Sequence, residues 1–170
     1  MELLKTIKDE NLGFSHKEGV SYKKRKAVRA IVFDNEGRIA LLNVAKHNYH
    51  KLPGGGVEEG EALPEALNRE TLEEVGCNVE ITGEVGRIVE FRDEFKEEQE
   101  SLCYLAKVIG EKGSSNFTEK EVSQGFNVLW ANPTEAVKIL DEDKPSNYEG
   151  EFIKARDTIL LKRALEISKN

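Results

Sequence analysis

The sequence has no long apolar run, which argues against a chain that crosses a membrane with helices. No stretch approaches the roughly 18 consecutive apolar residues that a membrane-spanning helix needs. The opening segment, MELLKTIKDENLG, is interrupted by charges and lacks the apolar core of a signal peptide. These absences predict a cytoplasmic protein without a membrane partner.

Cysteine is also scarce, with two residues in a chain of 170. Cys77 and Cys103 show neither the spacing of a metal site nor the density of a disulfide framework. We therefore interpret both as reduced, partly buried thiols of a cytosolic protein.

Basic residues are fewer than acidic ones: the chain has 25 Lys and Arg residues and 32 Asp and Glu residues, which gives a formal net charge of −7. A general nucleic-acid-binding protein takes its affinity from basic patches on phosphate, so no stable nucleic-acid partner is expected. A small anionic substrate that is held by a local site or a metal remains compatible with this charge. The chain length indicates one domain with a single core.

Strand and helix patterns follow each other along the chain and predict a mixed α/β layered domain. Strands are predicted at 26–34, 38–45, 78–93, 100–110 and 126–131, and the first two are expected to form a hairpin. Helices are predicted within 54–77 and at 133–140 and 151–167, with loops at 111–121 and 141–150. Residues 1–22 are predicted to be an N-terminal arm or strand before a single domain at 23–168.

The stretch GGGVEEGEALPEALNRETLEEVGC contains a helix whose apolar stripe ends in carboxylates. Helical periodicity puts Glu70 and Glu74 on the face of the leucines and Glu73 on its flank. Like charges at this spacing repel each other, and a buried unpaired carboxylate is costly. One interpretation is a solvated acidic face. The other is a site for a hard divalent cation, with Arg69 as a further counter-charge one turn before Glu73.

The segment PGGG, residues 53–56, lies directly before this acidic helix. Glycine lets a backbone come close to a ligand, so the carbonyls could coordinate a cation and the N–H groups could meet a phosphate. A flexible turn would explain the glycines equally well on their own. The position beside the acids is what favours a role in binding.

These residues resemble the signature of the Nudix hydrolase family, G-x5-E-x7-R-E-U-x-E-E-x-G-U, where U is a bulky aliphatic residue. All fixed positions match, at Gly55, Glu61, Arg69, Glu70, Glu73, Glu74 and Gly76. The two U positions hold Thr71 and Cys77, which are smaller or more polar than usual. With each residue type near 5–7% of average usage, such a chance match is expected on the order of once in 10⁸ starting positions.

The resemblance implies a MutT-like nucleotide pyrophosphohydrolase with an α/β/α sandwich around a mixed β-sheet. It implies Mg²⁺, with Mn²⁺ as a substitute, held by Glu70, Glu73, Glu74 and the carbonyl of Gly54. It also implies that Arg69 holds one of these glutamates in place and that Glu61 has a supporting or secondary metal role.

The catalytic base is left open by the resemblance, because family members take it either from the signature or from a distal loop. Glu73 is the first candidate here. Glu121 is the second, in a loop that also holds Glu119. An ordinary solvated loop would explain both loop glutamates.

Candidates for substrate contact are Arg29, Gly55 and Lys51. If Arg29 points inward from its strand, it needs an anionic partner, which would be either a substrate phosphate or a structural acid. Lys51 precedes the glycine segment and would frame the mouth of a pocket, although an exposed loop is an equal alternative. Phe126 and Trp130 alternate at strand spacing and are interpreted as core residues rather than as a platform for a base.

The substrate class is narrowed by two markers that some family members carry after the signature, a proline or a tyrosine at fixed distances. Those places hold Arg92, Asp93 and Phe95. Their absence favours a nucleoside triphosphate, including an oxidised one such as 8-oxo-dGTP. An ADP-ribose or nucleotide-sugar pyrophosphatase is the alternative, and a Nudix-fold sensor that binds nucleotide without turnover is an alternative of another class. The base of the nucleotide and homodimer formation stay open.

Overall fold

In the computed structural model, which describes residues 1–168, the chain forms a seven-stranded sheet and four helices. The strands are β1 (Leu3–Lys8), β2 (Lys23–Phe33), β3 (Ile39–Val44), β4 (Tyr49–Lys51), β5 (Asn78–Arg92), β6 (Glu97–Ile109) and β7 (Phe126–Ala131). The helices are α1 (Leu63–Val75), α2 (Glu119–Ser123), α3 (Pro133–Glu142) and α4 (Tyr148–Ile167).

The sheet has two halves that meet at a narrow junction. In one half, the order is β1-β5-β6-β2, where β1 and β2 run parallel to their neighbours and β5 and β6 form an antiparallel hairpin. In the other half, β3 pairs antiparallel with both β4 and β7. The pair Phe33–Ile39 joins β2 to β3. The predicted hairpin is therefore wrong beyond its turn, because β2 continues along β6 instead of β3.

Helices cover both faces of the sheet, since successive residues of a strand point to opposite sides. Val28 and Ala30 of β2 are fully buried in the cluster that contains Ala66 and Leu67 of α1. Ile31 of β2 belongs to the opposite cluster, which is covered by α3 and α4. This arrangement confirms the predicted α/β/α sandwich around a mixed sheet.

The basic run at the start of β2 lies against acidic residues. Residues 23–26 (KKRK) align in register with residues 97–100 (EEQE) of β6. Neighbouring strands are stabilised by opposite charges that face each other, so the acidic strand matches this basic charge locally.

Two helices differ from their predicted bounds. The short helix α2 lies partly inside the predicted loop at 111–121, and Thr118 caps it by accepting a hydrogen bond from the Glu121 N–H. The last helix begins at Tyr148 rather than at Glu151, because Asn147 caps its first turn through the Gly150 N–H.

The N-terminal residues contribute to the sheet through β1, which pairs parallel with β5. The division into residues 1–22 and a domain at 23–168 stays a prediction. None of the helices within residues 1–168 combines the length and the apolar character that crossing a membrane requires.

Candidate active site

The glycine segment runs beside β2 as an additional extended stretch. The Val28 N–H donates to Gly55 O at 2.9 Å, and the Ala30 N–H donates to Pro53 O at 3.0 Å. Gly54 between them has φ 134°, and a Cβ atom there would lie 2.1 Å from Val28 O. Only glycine fits this approach. The carbonyls of Pro53 and Gly55 bond to β2, whereas the Gly54 carbonyl lies 3.4 Å from Lys51 Nζ.

Glu74 on α1 is the buried acid beside this segment, with a side chain that is 3% exposed. One carboxylate oxygen accepts the Gly54 N–H at 2.7 Å and the other accepts Lys51 Nζ at 2.8 Å. Burial raises the pKa of Glu74, although both of these donors favour its charged form. The Lys51 ammonium also lies 3.4 Å from Gly54 O. One cation therefore contacts both Glu74 Oε1 and the Gly54 carbonyl oxygen.

Arg69 connects the helix to the segments before it. Its guanidinium donates to both oxygens of Glu61 at 2.8 and 2.9 Å, to Glu70 Oε1 at 2.8 Å and to Gly56 O at 3.0 Å. The bonds from Arg69 to Glu61, followed by the bond from the Glu58 N–H, lower the pKa of Glu61 to about 2. Glu73 Oε2 lies farther away, at 3.9 Å. Arg69 therefore orients Glu70 and Glu61 more directly than Glu73.

Glu73 is the most exposed acid of the signature that contacts Arg69, at 46%. Partial burial, followed by the charge of Glu70, raises the pKa of Glu73. Its backbone carbonyl accepts the Asn116 N–H at 2.6 Å, and the Ser115 hydroxyl donates to Glu74 O at 2.7 Å. The loop after β6 is thereby attached to the C-terminal turn of α1.

A cavity of about 270 Å³ opens on the α4 side of the sheet. Glu70, Glu74 and the glycines at 54–56 form part of its lining. Basic side chains line the same space, and they are Arg25, Arg29, Lys51, Arg92 and Lys120. One cavity thus combines acids that can bind a cation with cations that can bind an anion.

Arg29 points inward and is 5% exposed. Its Nη1 donates to Val28 O at 2.9 Å, while its Nε has no partner among residues 1–168. The nearby acids Glu90 and Asp157 form ion pairs with Arg156 instead. Burial, followed by the charge of Arg156, lowers the pKa of Arg29 to about 10. A buried guanidinium without an ion pair is costly, which favours a ligand anion as its partner.

Arg92 and Gln99 reach the cavity from β5 and β6 and were not predicted. Arg92 pairs with Glu90 at 2.7 Å, and its Nε lacks a partner within the described part of the chain. Gln99 donates to Glu90 at 2.9 Å and accepts a hydrogen bond from Arg25. The register of β5, β6 and β2 brings these side chains together, and that register cannot be predicted from a local sequence pattern.

The two loop glutamates differ in position. Glu121 lines the cavity, while its Oε2 accepts the Thr118 N–H at 2.8 Å. Glu119 is exposed and is absent from that lining, as is Glu73, among residues 1–168. The structure therefore brings Glu121 to the cavity together with Glu70 and Glu74.

The two aromatic residues of β7 also differ. Phe126 lines the cavity, and Lys51 Nζ lies 5.3 Å from the centroid of its ring. Trp130 packs against the core beneath α1, with Lys112 Nζ 3.8 Å from its ring centroid. Phe126 also packs against the buried cluster of Val44, Tyr49 and Ile153. Both aromatic residues therefore contribute to the core, and Phe126 borders the cavity as well.

The oxygen donors at this end of the cavity fit a divalent ion such as Mg²⁺. Glu70, Glu74 and the Gly54 carbonyl border the same space. Across residues 1–168, no group of three His, Cys, Asp or Glu side chains is arranged to hold a metal ion by itself. Mg²⁺ usually binds one or two carboxylates and takes its other ligands from water and phosphate, so a partial shell beside an open cavity is suitable.

Comparison with known proteins adds independent findings. A family model described as the NUDIX domain matches residues 23–151. A protein of Bacillus subtilis (strain 168), named provisionally as an 8-oxo-dGTP diphosphatase, is 32% identical over 115 residues, which cover 65% of this chain and 74% of that protein. The RNA pyrophosphohydrolase of Wolbachia pipientis wMel is 33% identical over 95 residues, covering 53% of this chain and 56% of that protein.

Solved structures share the fold. The MutT protein from Methanosarcina mazei Go1 superposes with a TM-score of 0.63 at 16% identity, covering 89% of this chain and 100% of that chain. The E. coli ORF135 protein superposes with a TM-score of 0.60 at 21% identity, covering 87% and 93% respectively.

Proposed function

The chain belongs to the Nudix family of hydrolases, and from that premise we propose that it hydrolyses a phosphoanhydride bond of a nucleoside triphosphate with Mg²⁺. The observation that carries this proposal is the buried Arg29, whose Nε has no partner among residues 1–168 and which lines the same cavity as Glu70 and Glu74. A metal-bound polyphosphate requires this combination of acids for the metal and a guanidinium for the phosphate.

A small nucleotide is favoured over RNA for two reasons. The cavity volume of about 270 Å³ suits a small ligand or part of one. The basic run at 23–26 is matched by acidic residues at 97–100, which leaves less basic surface for a nucleic-acid backbone. An oxidised triphosphate such as 8-oxo-dGTP is our specific candidate, and it is the substrate for which the Bacillus subtilis relative is named.

In this proposal Glu70, Glu74 and the Gly54 carbonyl hold the divalent ion. When bound, the ion neutralises phosphate charge and lowers the pKa of a bound water. Arg29 binds phosphate oxygens and holds the polyphosphate in position for in-line attack by water on phosphorus.

A glutamate accepts the proton of the attacking water, and cleavage of the P–O–P bond leaves a nucleoside monophosphate and pyrophosphate. Glu73 and Glu121 both remain candidates for this base. Glu121 has the more direct access, because it lines the cavity.

A nucleotide panel tests the proposed function. The wild-type protein is incubated with Mg²⁺ and canonical or oxidised nucleoside triphosphates, ADP-ribose, a nucleotide sugar, a dinucleoside polyphosphate and 5′-triphosphorylated RNA. We expect triphosphates to give monophosphate and pyrophosphate, with no product after chelation of the metal. The absence of turnover for every nucleotide, together with tight binding in calorimetry, would instead support the sensor. Preferential cleavage of ADP-ribose would overturn the substrate assignment alone.

A further inference from the structure

Lys51 occupies a position that a divalent ion would also need. Its Nζ lies 2.8 Å from Glu74 Oε1 and 3.4 Å from Gly54 O, two of the oxygens assigned above to the metal. The second oxygen of Glu74 accepts the Gly54 N–H at 2.7 Å. Both oxygens of this buried carboxylate therefore have partners before any metal arrives.

The Lys51–Glu74 pair is well shielded from water, since the two side chains are 12% and 3% exposed. Ion pairs in such surroundings are screened far less than pairs at the surface. An ammonium and a divalent ion cannot both approach the same carboxylate oxygen without strong repulsion. Entry of the metal therefore requires the Lys51 ammonium to move away from Glu74.

A destination for the ammonium lies in the same cavity. Lys51 lines this space together with Arg25 and Arg29, and its flexible stem passes close to the Phe126 ring. A phosphate bound in this cavity would form an ion pair with the Lys51 ammonium after the metal displaces it from Glu74. A metal and a polyphosphate that arrive together would thus leave every charge compensated, whereas the metal alone would leave Lys51 without a partner.

We propose that Lys51 is a tethered cation that competes with the divalent ion for Glu74 and Gly54 O, so that metal and nucleotide phosphates bind cooperatively. This inference rests on the proposed function, because it takes the same acids as metal ligands. Lys51 is a positioning residue in this scheme. It weakens metal binding to the free protein and binds phosphate in the complex.

Binding of Mn²⁺ to the protein without nucleotide, followed by electron paramagnetic resonance and calorimetry, tests this competition. Lys51→Met is expected to lower the Kd for Mn²⁺ about tenfold, within the usual range of coupling between two sites. Lys51→Gln, which stays polar and can donate to Glu74, is expected to tighten binding likewise and serves if the Met variant does not fold. The matched control is Lys120→Met, which removes the same charge from the lining of the same cavity. We expect the control to change the Kd for Mn²⁺ without nucleotide less than about twofold, because Lys120 is exposed at the cavity edge and its charge is screened by solvent.

The competition is overturned if both Lys51 variants bind Mn²⁺ no more tightly than Lys120→Met. Nucleotide hydrolysis would then still stand, because metal binding itself would be intact. A different result, in which neither the wild-type protein nor any variant binds Mn²⁺ with or without a non-hydrolysable triphosphate analogue, overturns the metal site and the proposed function together.

Discussion

Replacing Glu70 by Gln is expected to lower kcat/KM for the preferred nucleotide about a thousandfold, which corresponds to about 4 kcal/mol of transition-state stabilisation. The substitution removes a carboxylate that lines the cavity and accepts a hydrogen bond from Arg69 at 2.8 Å. A neutral amide binds a hard cation less strongly, so the metal would neutralise less of the charge that develops on the phosphates. Initial rates measured over a range of Mg²⁺ concentrations check this expectation.

Glu59→Gln is the matched control, because it removes the same charge from an exposed position in the segment before α1. Its kcat/KM should stay within about twofold of the wild-type value, as expected for screened surface charges. If Glu70→Gln lowered kcat/KM by less than about tenfold, which is the scale of a single supporting contact, Glu70 would not be a metal ligand.

Replacing Arg29 by Met is expected to lower kcat/KM about a hundredfold while leaving the free energy of unfolding unchanged or raised. The kinetic loss follows from the removal of a charge-assisted contact to phosphate. The stability follows from the state of Arg29 in the protein alone, where the guanidinium is buried and its Nε has no partner among residues 1–168. An apolar side chain of similar length removes this buried charge and its unpaired Nε. Urea denaturation and steady-state kinetics measure the two effects separately.

Arg156→Met provides the contrast for stability. Arg156 is fully buried and pairs with Glu90 at 3.3 Å and Asp157 at 2.7 Å. Its removal leaves the buried Asp157 without an ion pair among residues 1–168 and leaves Glu90 with Arg92 alone. This variant is expected to lose about 3–5 kcal/mol of unfolding free energy. If Arg29→Met lost a similar amount, Arg29 would be a structural arginine, and the main support for a phosphate-binding cavity would be gone.

Local signals in the sequence predicted most of the elements correctly. The helix that carries the acids ends where expected, since Gly76 has φ 72° and forms the C-terminal cap of α1. Thr118 followed by Glu121 has the spacing of a capping box, which is a local signal for the start of α2 inside the predicted loop. The start of α4 was misplaced because Gly150 is a poor helix former, although Asn147 is a good cap.

Contacts between distant segments could not be derived in the same way. The partner of β2 is β6, whose residues lie far along the chain, and no local pattern specifies that register. For this reason the sequence did not identify Arg92 and Gln99 as cavity residues. For the same reason the predicted pairing of β2 with β3 was too long. The periodicity of α1 placed Glu74 on the buried face, but it could not show that Lys51 and the Gly54 N–H already satisfy its carboxylate.

The central claim is that one cavity holds a divalent ion on the acids of α1 and a phosphate on Arg29 at the same time. A crystal structure with Mn²⁺ and a non-hydrolysable nucleoside triphosphate analogue tests this claim most directly. The anomalous signal of Mn²⁺ locates the metal. We predict Mn²⁺ in contact with Glu70, Glu74 and the Gly54 carbonyl, with a phosphate oxygen at hydrogen-bond distance from the Arg29 guanidinium. Mn²⁺ bound elsewhere, or a triphosphate that leaves Arg29 without a partner, would contradict it.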